Sequence, residues 1–284
     1  RIKKDNIIKA IPKLKKGLDK ENWVNFSKSI LTTDTKNKTS SKRLNINGEI
    51  ITITGVAKGS GMIHPNMATM LSFVATDIKI SKTLLNSIHK KVIDKSYNMI
   101  TVDGDTSTND SSILISTAKS KLSYEKLNDK DKKIFYNGIE SLYIELAKYI
   151  IRDGEGATKF ISININKIKD KKQGKSIGMS VANSLLVKTA LFAEDPNWGR
   201  ILSAIGNSDT SIKDFSNIEI YLGKILIFKN NKMYEKYTEK SAAKYLKNKD
   251  IEINIVINNG KERVTVWTSD LSYEYIKINA EYRT

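Results

Sequence analysis

The sequence predicts an α+β fold, in which helices pack against sheets that contain antiparallel strands. Segments with helical apolar spacing and segments with alternating apolar residues occur side by side along the 284 residues. Two Asn-Gly pairs also separate strand-like runs, as they do in tight hairpins. No repeat of fixed period is visible, and the length suits one large domain or two modest ones.

Helices and a hairpin are predicted at the start of the chain. Apolar residues recur at helical spacing at 6–18 and at 21–31. Two alternating segments then flank Asn47-Gly48, a dipeptide that favours the tightest hairpin turns. The apolar run at 70–75 follows and suits a buried strand.

Two longer amphipathic helices are predicted in the middle of the chain, at 80–97 and 131–152. Each carries one apolar stripe that would face the core. Between them, we expect a polar turn that caps a helix beginning near Ser107 or Thr108, because side-chain oxygens can satisfy the first amides of a helix.

A strand, a loop, a helix and a second hairpin are predicted in the last part. Residues 160–166 alternate and place three isoleucines on one face, while the lysine-rich run 167–175 indicates an exposed loop or a boundary. A helix is expected around 180–191. Asn259-Gly260 separates two alternating segments, which predicts that they form a hairpin.

Composition narrows the classes of function. The chain has no cysteine and two histidines, which leaves almost no material for a zinc site or a Ser-His-Asp triad. Its apolar runs are far shorter than the roughly 18 residues that span a bilayer. The net charge of +17 would suit a nucleic-acid-binding protein, which is kept as an alternative. The lysines are scattered among acidic residues, however, and this distribution is more typical of ordinary solvated surfaces than of a nucleic-acid-binding site.

The most informative motif runs from Lys58 to Met70, KGSGMIHPNMATM, in which Ala68 precedes Thr69 at the start of an apolar segment. It predicts self-cleavage before Thr69. A threonine hydroxyl is a weak nucleophile, and the freed α-amine of the same residue supplies the base that it needs. Such an amine titrates at about 7.7 to 8.0, so a useful fraction is neutral in the cell. The alternative is an ordinary loop that enters a strand.

Five motifs are spread along the chain: KGSGMIHPNMATM, TVDGDTSTND, RDGEGATKF, DPNWGRI and INAEYRT. Their order and spacing resemble the ornithine acetyltransferase / glutamate N-acetyltransferase family of arginine biosynthesis, from Arg1 to Thr284. The resemblance implies a helix-flanked mixed sheet of the N-terminal-nucleophile type with a smaller C-terminal α/β domain. We therefore place a catalytic core at 1–166, with an α-chain remnant at 1–68, and a C-terminal domain at 167–284 whose tail returns to the active site.

The resemblance also implies the activity. Members of the family move an acetyl group from N2-acetylornithine to glutamate through an acetyl-threonine intermediate, in a ping-pong reaction. They need no metal or prosthetic group, and some use acetyl-CoA as a co-substrate. Their α and β chains come from one precursor, and we expect a cytoplasmic heterotetramer of two α and two β chains, without a membrane partner. An aminopeptidase of the same fold, with water as the acceptor, is the enzyme alternative.

The family's binding positions are carried over one at a time. They are Thr32, Lys58, Thr69, Glu155, Asn279 and Thr284. The resemblance implies that Lys58 pairs with a substrate carboxylate and Glu155 with an ammonium, through charge-assisted hydrogen bonds. The neutral side chains would fix the substrate's register. Without the resemblance, Lys58 would be a solvated lysine, Glu155 part of a turn and Thr284 a frayed end.

One family feature is missing from the sequence. The Thr-Gly pair that forms the family's oxyanion hole lies before the first segment seen here, so we expect this chain to be a fragment. Loss of one oxyanion donor costs about 100- to 1000-fold in rate. We therefore expect low activity from the fragment alone.

Overall fold

Two β-sheets and the helices packed against them make up the computed structural model, which describes residues 3–19, 21–64, 70–210, 212 and 215–282. The elements up to residue 152 are α1 (Lys4–Lys16), α2 (Trp23–Ser29), β1 (Lys38–Ile46), β2 (Glu49–Lys58), β3 (Leu71–Thr76), α3 (Lys82–Asp94), β4 (Ile100–Thr101), β5 (Ser111–Ser116) and α4 (Asp129–Arg152). Strands β1, β2, β3 and β5 form a four-stranded sheet in that order, and β3 and β5 are parallel.

Among the described residues, the strands after residue 152 join β4 in a larger sheet, and five further helices accompany them. They are β6 (Phe160–Ile168), α5 (Lys171–Asn183), α6 (Leu185–Phe192), α7 (Trp198–Gly206), β7 (Glu219–Leu222), β8 (Ile225–Lys229), β9 (Lys232–Met233), α8 (Glu239–Leu246), β10 (Asp250–Val256), β11 (Glu262–Ser269) and α9 (Tyr273–Glu281). The seven strands lie in the order β4-β11-β6-β10-β7-β8-β9. Both sheets mix parallel and antiparallel pairs, which confirms the predicted fold class.

The first hairpin forms where the sequence predicts it. Asn47 and Gly48 join the paired residues Ile46 and Glu49, and their φ angles are 51° and 79°. A type I′ turn requires positive φ at both positions, which asparagine and glycine tolerate. The hairpin delivers the chain to Lys58, the last residue of β2.

Helix α4 covers β1 and β2 and forms the centre of the first core. It begins at a cap, because the side chain of Asn128 accepts a hydrogen bond from the amide of Asp131. Its predicted apolar stripe is buried, and consists of Phe135, Ile139, Leu142, Leu146 and Ile150. The helix ends at Arg152, the first residue of the motif RDGEGATKF that contains Glu155.

The helix expected near Ser107 is wrong, because strand β5 begins at Ser111 instead. Ile113 and Ile115 are β-branched and occupy alternate positions, which suits a strand. The segment pairs in parallel with β3 and so satisfies the backbone groups along that strand's edge.

The exposed loop expected at 167–175 is also wrong, since α5 begins at Lys171. The side chain of Asp170 accepts a hydrogen bond from the amide of Gln173 and caps the helix. The helix expected around 180–191 exists as two helices, because the chain breaks at Ser184, whose side chain caps α6.

The second hairpin is wrong as well, although both of its strands exist. β10 and β11 do not pair with each other, because β6 lies between them, parallel to one and antiparallel to the other. The amides of Asn259 and Gly260 instead donate hydrogen bonds to the Lys167 carbonyl, at 2.9 and 3.1 Å. The three buried isoleucines of β6 favour this central position.

The division into domains at residue 166 stays a prediction. The buried apolar side chains of the described residues form two clusters. Phe160 belongs to the first and Ile161 to the second, so the boundary between them falls at the start of β6. Within the described ranges, no helix is long and apolar enough to cross a lipid bilayer.

Candidate functional site

The candidate site forms where the turn after α4 meets the loop after β2. The amide of Glu155 donates a hydrogen bond to the carbonyl of Ser60 at 2.8 Å. Gly61 lies against the Glu155 carboxylate so closely that a Cβ atom at this position would overlap it. A larger residue at position 61 would therefore push this carboxylate aside, which explains a glycine here.

Helix α9 brings Asn279 to the same turn. The Asn279 side-chain amide donates to Glu155 Oε2 at 2.9 Å and to the Tyr275 carbonyl at 3.0 Å. The hydroxyl of Ser272 caps α9 and donates to the Gly156 carbonyl at 2.5 Å. Two residues that the sequence predicts as binding positions, 124 positions apart, are thus in direct contact.

Thr32 and Lys58 form a second contact pair. Lys58 Nζ donates to Thr32 Oγ1 at 3.0 Å. Asp34 organises the surrounding backbone, since it accepts hydrogen bonds from the amides of Gly59 at 2.6 Å and Thr32 at 3.3 Å. Burial would raise the pKa of Asp34, but hydrogen bonds from Lys38 and Gly59 outweigh it and hold the pKa below its usual value.

A buried ion triad connects the two pairs. The Lys38 ammonium lies 2.6 Å from Asp34 and 2.6 Å from Asp153, and the three side chains are between 0% and 4% exposed. Asp153 also accepts hydrogen bonds from the amides of Thr35 and Lys36, each at 3.1 Å. The segment that carries Thr32 is therefore anchored to the turn that carries Glu155.

Asp103, in the motif TVDGDTSTND, organises the backbone of the loop after β2. Its carboxylate accepts hydrogen bonds from the amides of Met62 at 2.6 Å and Ile63 at 2.9 Å, and from the Tyr275 hydroxyl at 3.3 Å. Burial, together with Asp103, raises the pKa of Tyr275 well above its usual value, so the hydroxyl stays a donor. The signal of Asp103 in the sequence is the acidic motif TVDGDTSTND, and the Asp103 carboxylate anchors two backbone amides of the loop after β2.

Substitution of Asp103 by alanine should loosen this loop. Hydrogen bonds to a charged acceptor contribute about 1.5 to 3 kcal/mol, so we expect faster hydrogen exchange at the amides of Met62 and Ile63 and a local loss of stability of that order. Asp105→Ala is the control, because Asp105 is exposed. Equal exchange rates in the two variants would contradict the anchoring role.

Three residues named by the sequence fall outside the described residues. They are Ala68, Thr69 and Thr284. The structure therefore brings together Thr32 with Lys58 and Glu155 with Asn279, while the roles of all six predicted binding positions stay predictions. The described residues that flank the predicted cleavage site are His64 and Met70.

Comparison with known proteins assigns the chain to a family. The ArgJ family model matches residues 1–284. The arginine biosynthesis bifunctional protein ArgJ of Colwellia psychrerythraea is 42% identical over 286 residues, and that of Methylococcus capsulatus is 41% identical over 280 residues. Each alignment covers 99% of this chain, with 68% and 69% of the respective relative.

A solved structure agrees with the sequence comparison. The crystal structure of the arginine biosynthesis bifunctional protein ArgJ of Bacillus halodurans matches with a TM-score of 0.70 at 35% identity. The match covers 75% of this chain and 100% of that chain. The predicted family is confirmed by these matches over the whole sequence: the chain belongs to the ArgJ family.

Proposed function

We propose that this chain transfers an acetyl group from N2-acetylornithine to glutamate in arginine biosynthesis, with Thr69 as the nucleophile after cleavage between Ala68 and Thr69. The names of its relatives, arginine biosynthesis bifunctional proteins, support the pathway. The observation that carries the proposal is the opposite charge of the two contact pairs, the Lys58 ammonium beside Thr32 and the Glu155 carboxylate beside Asn279.

The two charges match the two ends of the substrate. N2-acetylornithine has an α-carboxylate, which the Lys58 ammonium would bind, and a side-chain ammonium, which the Glu155 carboxylate would bind. Binding at both ends would fix the α-carbon and, with it, the N-acetyl group that branches from it. The amide of Asn279 supports Glu155, and Gly61 leaves room for its carboxylate.

The reaction would then proceed in two balanced steps. The Thr69 hydroxyl attacks the acetyl carbonyl, its proton passes through the α-amine to the departing nitrogen, and ornithine leaves. In the second step, the amine of glutamate attacks acetyl-threonine and releases N-acetylglutamate with a free Thr69 hydroxyl. Acetyl-CoA as a co-substrate stays a prediction.

The intact mass of the protein produced from its complete gene tests self-cleavage. Two chains that meet between Ala68 and Thr69 are expected. Release of ornithine that requires glutamate would support transfer, whereas glutamate-independent hydrolysis of the donor would favour the aminopeptidase alternative. A single uncleaved chain without transfer would contradict the proposal.

Substitution of Glu155 by glutamine or of Lys58 by alanine should weaken substrate binding. Loss of a charge-assisted hydrogen bond costs about 1.5 to 3 kcal/mol, so kcat/KM for N2-acetylornithine should fall by about 10- to 150-fold. Self-cleavage should persist in both variants. Glu262→Gln is the control, because Glu262 is an exposed carboxylate at the start of β11. If the kinetics of both variants matched those of this control, Lys58 and Glu155 would be ordinary surface residues without a role in substrate binding.

A further inference from the structure

Asp110 occupies a defined position beside Met70. It directly precedes β5, in which Ser111 pairs with Leu71 of β3. The amide of Ser111 donates a hydrogen bond to the Met70 carbonyl at 3.0 Å. Because neighbouring strands lie about 4.8 Å apart, Asp110 lies next to the residue that follows the predicted nucleophile.

The Asp110 carboxyl group is buried without a hydrogen-bonding partner. Both of its oxygens are screened from solvent, and neither makes a hydrogen bond within the described residues. They line a small cavity together with Met70, Tyr97 and Asn98. An ionised carboxylate is costly in such a place unless it is paired, so the group gains from taking up a proton or a cationic partner.

The surroundings of Asp110 determine the pH at which its carboxyl group ionises. Burial raises its pKa to about 7, although the Met70 amide, whose geometry falls short of a hydrogen bond, and the Lys58 ammonium both favour the ionised form. Tyr97 is the titratable group that faces it across the cavity. Burial raises the pKa of Tyr97 far above neutrality, and its hydroxyl is hydrogen-bonded to Ser72 at 2.8 Å. Asp110 is therefore the group in this cavity that changes charge near neutral pH.

We propose that Asp110 carries the proton during self-cleavage before Thr69. The inference rests on the proposed function. As the Thr69 oxygen bonds to the Ala68 carbonyl carbon, the hydroxyl proton passes to the Asp110 carboxylate. The carbon–nitrogen bond then breaks, and the same proton passes to the nitrogen, which becomes the α-amine. Water hydrolyses the resulting ester, so that the Thr69 hydroxyl is restored and Asp110 ends in its starting form.

The test is the rate of self-cleavage, followed by intact mass across a pH range centred on about 7. The wild-type rate should rise through that pH, because the carboxylate must be ionised to accept the proton. General acid–base catalysis contributes about 100-fold or more, so Asp110→Asn should cleave at least about 100-fold more slowly and lose this pH dependence. Asp110→Glu should recover part of both. Asp105→Asn, an exposed carboxylate in the same loop, should cleave like the wild type.

Two comparisons separate this inference from the proposed function. If Thr69→Ala blocks cleavage but Asp110→Asn cleaves at the wild-type rate and pH dependence, the role of Asp110 is overturned and the proposed nucleophile stands. If the wild type is not cleaved, or Thr69→Ala is cleaved, both are overturned. Circular dichroism and denaturant unfolding check the fold of each variant. Where the asparagine variant does not fold, Asp110→Ser, which also lacks the carboxylate, takes its place, and a wild-type rate and pH profile in that variant overturns the inference.

Discussion

Replacement of Thr69 by alanine should leave a single uncleaved chain that transfers no acetyl group. The proposed mechanism uses one hydroxyl for both steps, first on the peptide bond after Ala68 and then on the acetyl donor. Removing it should therefore abolish both activities together. Intact mass would measure cleavage, and ornithine release in the presence of glutamate would measure transfer.

Thr69→Ser is the matched control. Serine keeps the hydroxyl and loses only the methyl group that restricts the rotamer, so we expect cleavage and some remaining transfer. Normal cleavage of the alanine variant at the same bond would remove Thr69 from the mechanism. A cleaved serine variant without transfer would instead separate the two activities and show that transfer, unlike cleavage, needs the methyl group of Thr69.

Replacement of Lys38 by alanine should destabilise the fold by about 3 to 5 kcal/mol. The change leaves the carboxylates of Asp34 and Asp153 buried together without their cation. The free energy of unfolding from denaturant titration measures the effect. Lys42→Ala is the control on the same strand, since the Lys42–Glu145 pair is about one-third exposed and should contribute at most about 1 kcal/mol.

The difference between wild type and Lys38→Ala should depend on pH. The pKa of Asp34 is lowered in the folded wild type, so its contribution to stability is present at neutral pH and is lost as the pH falls below about 4. In the variant, protonation relieves the repulsion between Asp34 and Asp153. The gap in unfolding free energy should therefore shrink in acid. A gap that stays constant with pH would show that lost packing, and not charge, causes the destabilisation.

Elements that depend on neighbouring residues were predictable. The turn at Asn47-Gly48 follows from the φ angles that these two residues tolerate, and the apolar stripe of α4 follows from helical spacing. The family motifs also named Lys58 and Glu155 with their charges, because a motif preserves the types of residue that the chemistry needs. These predictions require no knowledge of where distant segments lie.

Elements that depend on competition between distant segments were not predictable. Asn259-Gly260 has the composition of a hairpin turn, yet β6 separates the two flanking strands because it pairs with both of them. The composition of the lysine-rich run 167–175 predicts a loop, but the Asp170 cap and the packing of Gly174 against Val264 favour a helix. In both cases, local propensity was weaker than the burial of apolar residues elsewhere in the chain.

By itself, the sequence determined the family, the α+β class and the chemical types of the candidate binding groups, since these follow from local patterns and motifs. Only the tertiary structure decided which groups meet. Lys38 reaches Asp153 across 115 positions, and Asn279 reaches Glu155 across 124. The unpaired carboxyl of Asp110 is likewise visible only once β5 lies beside β3. The physical reason is that burial and hydrogen bonding between distant segments select one arrangement from many that the local pattern allows equally well.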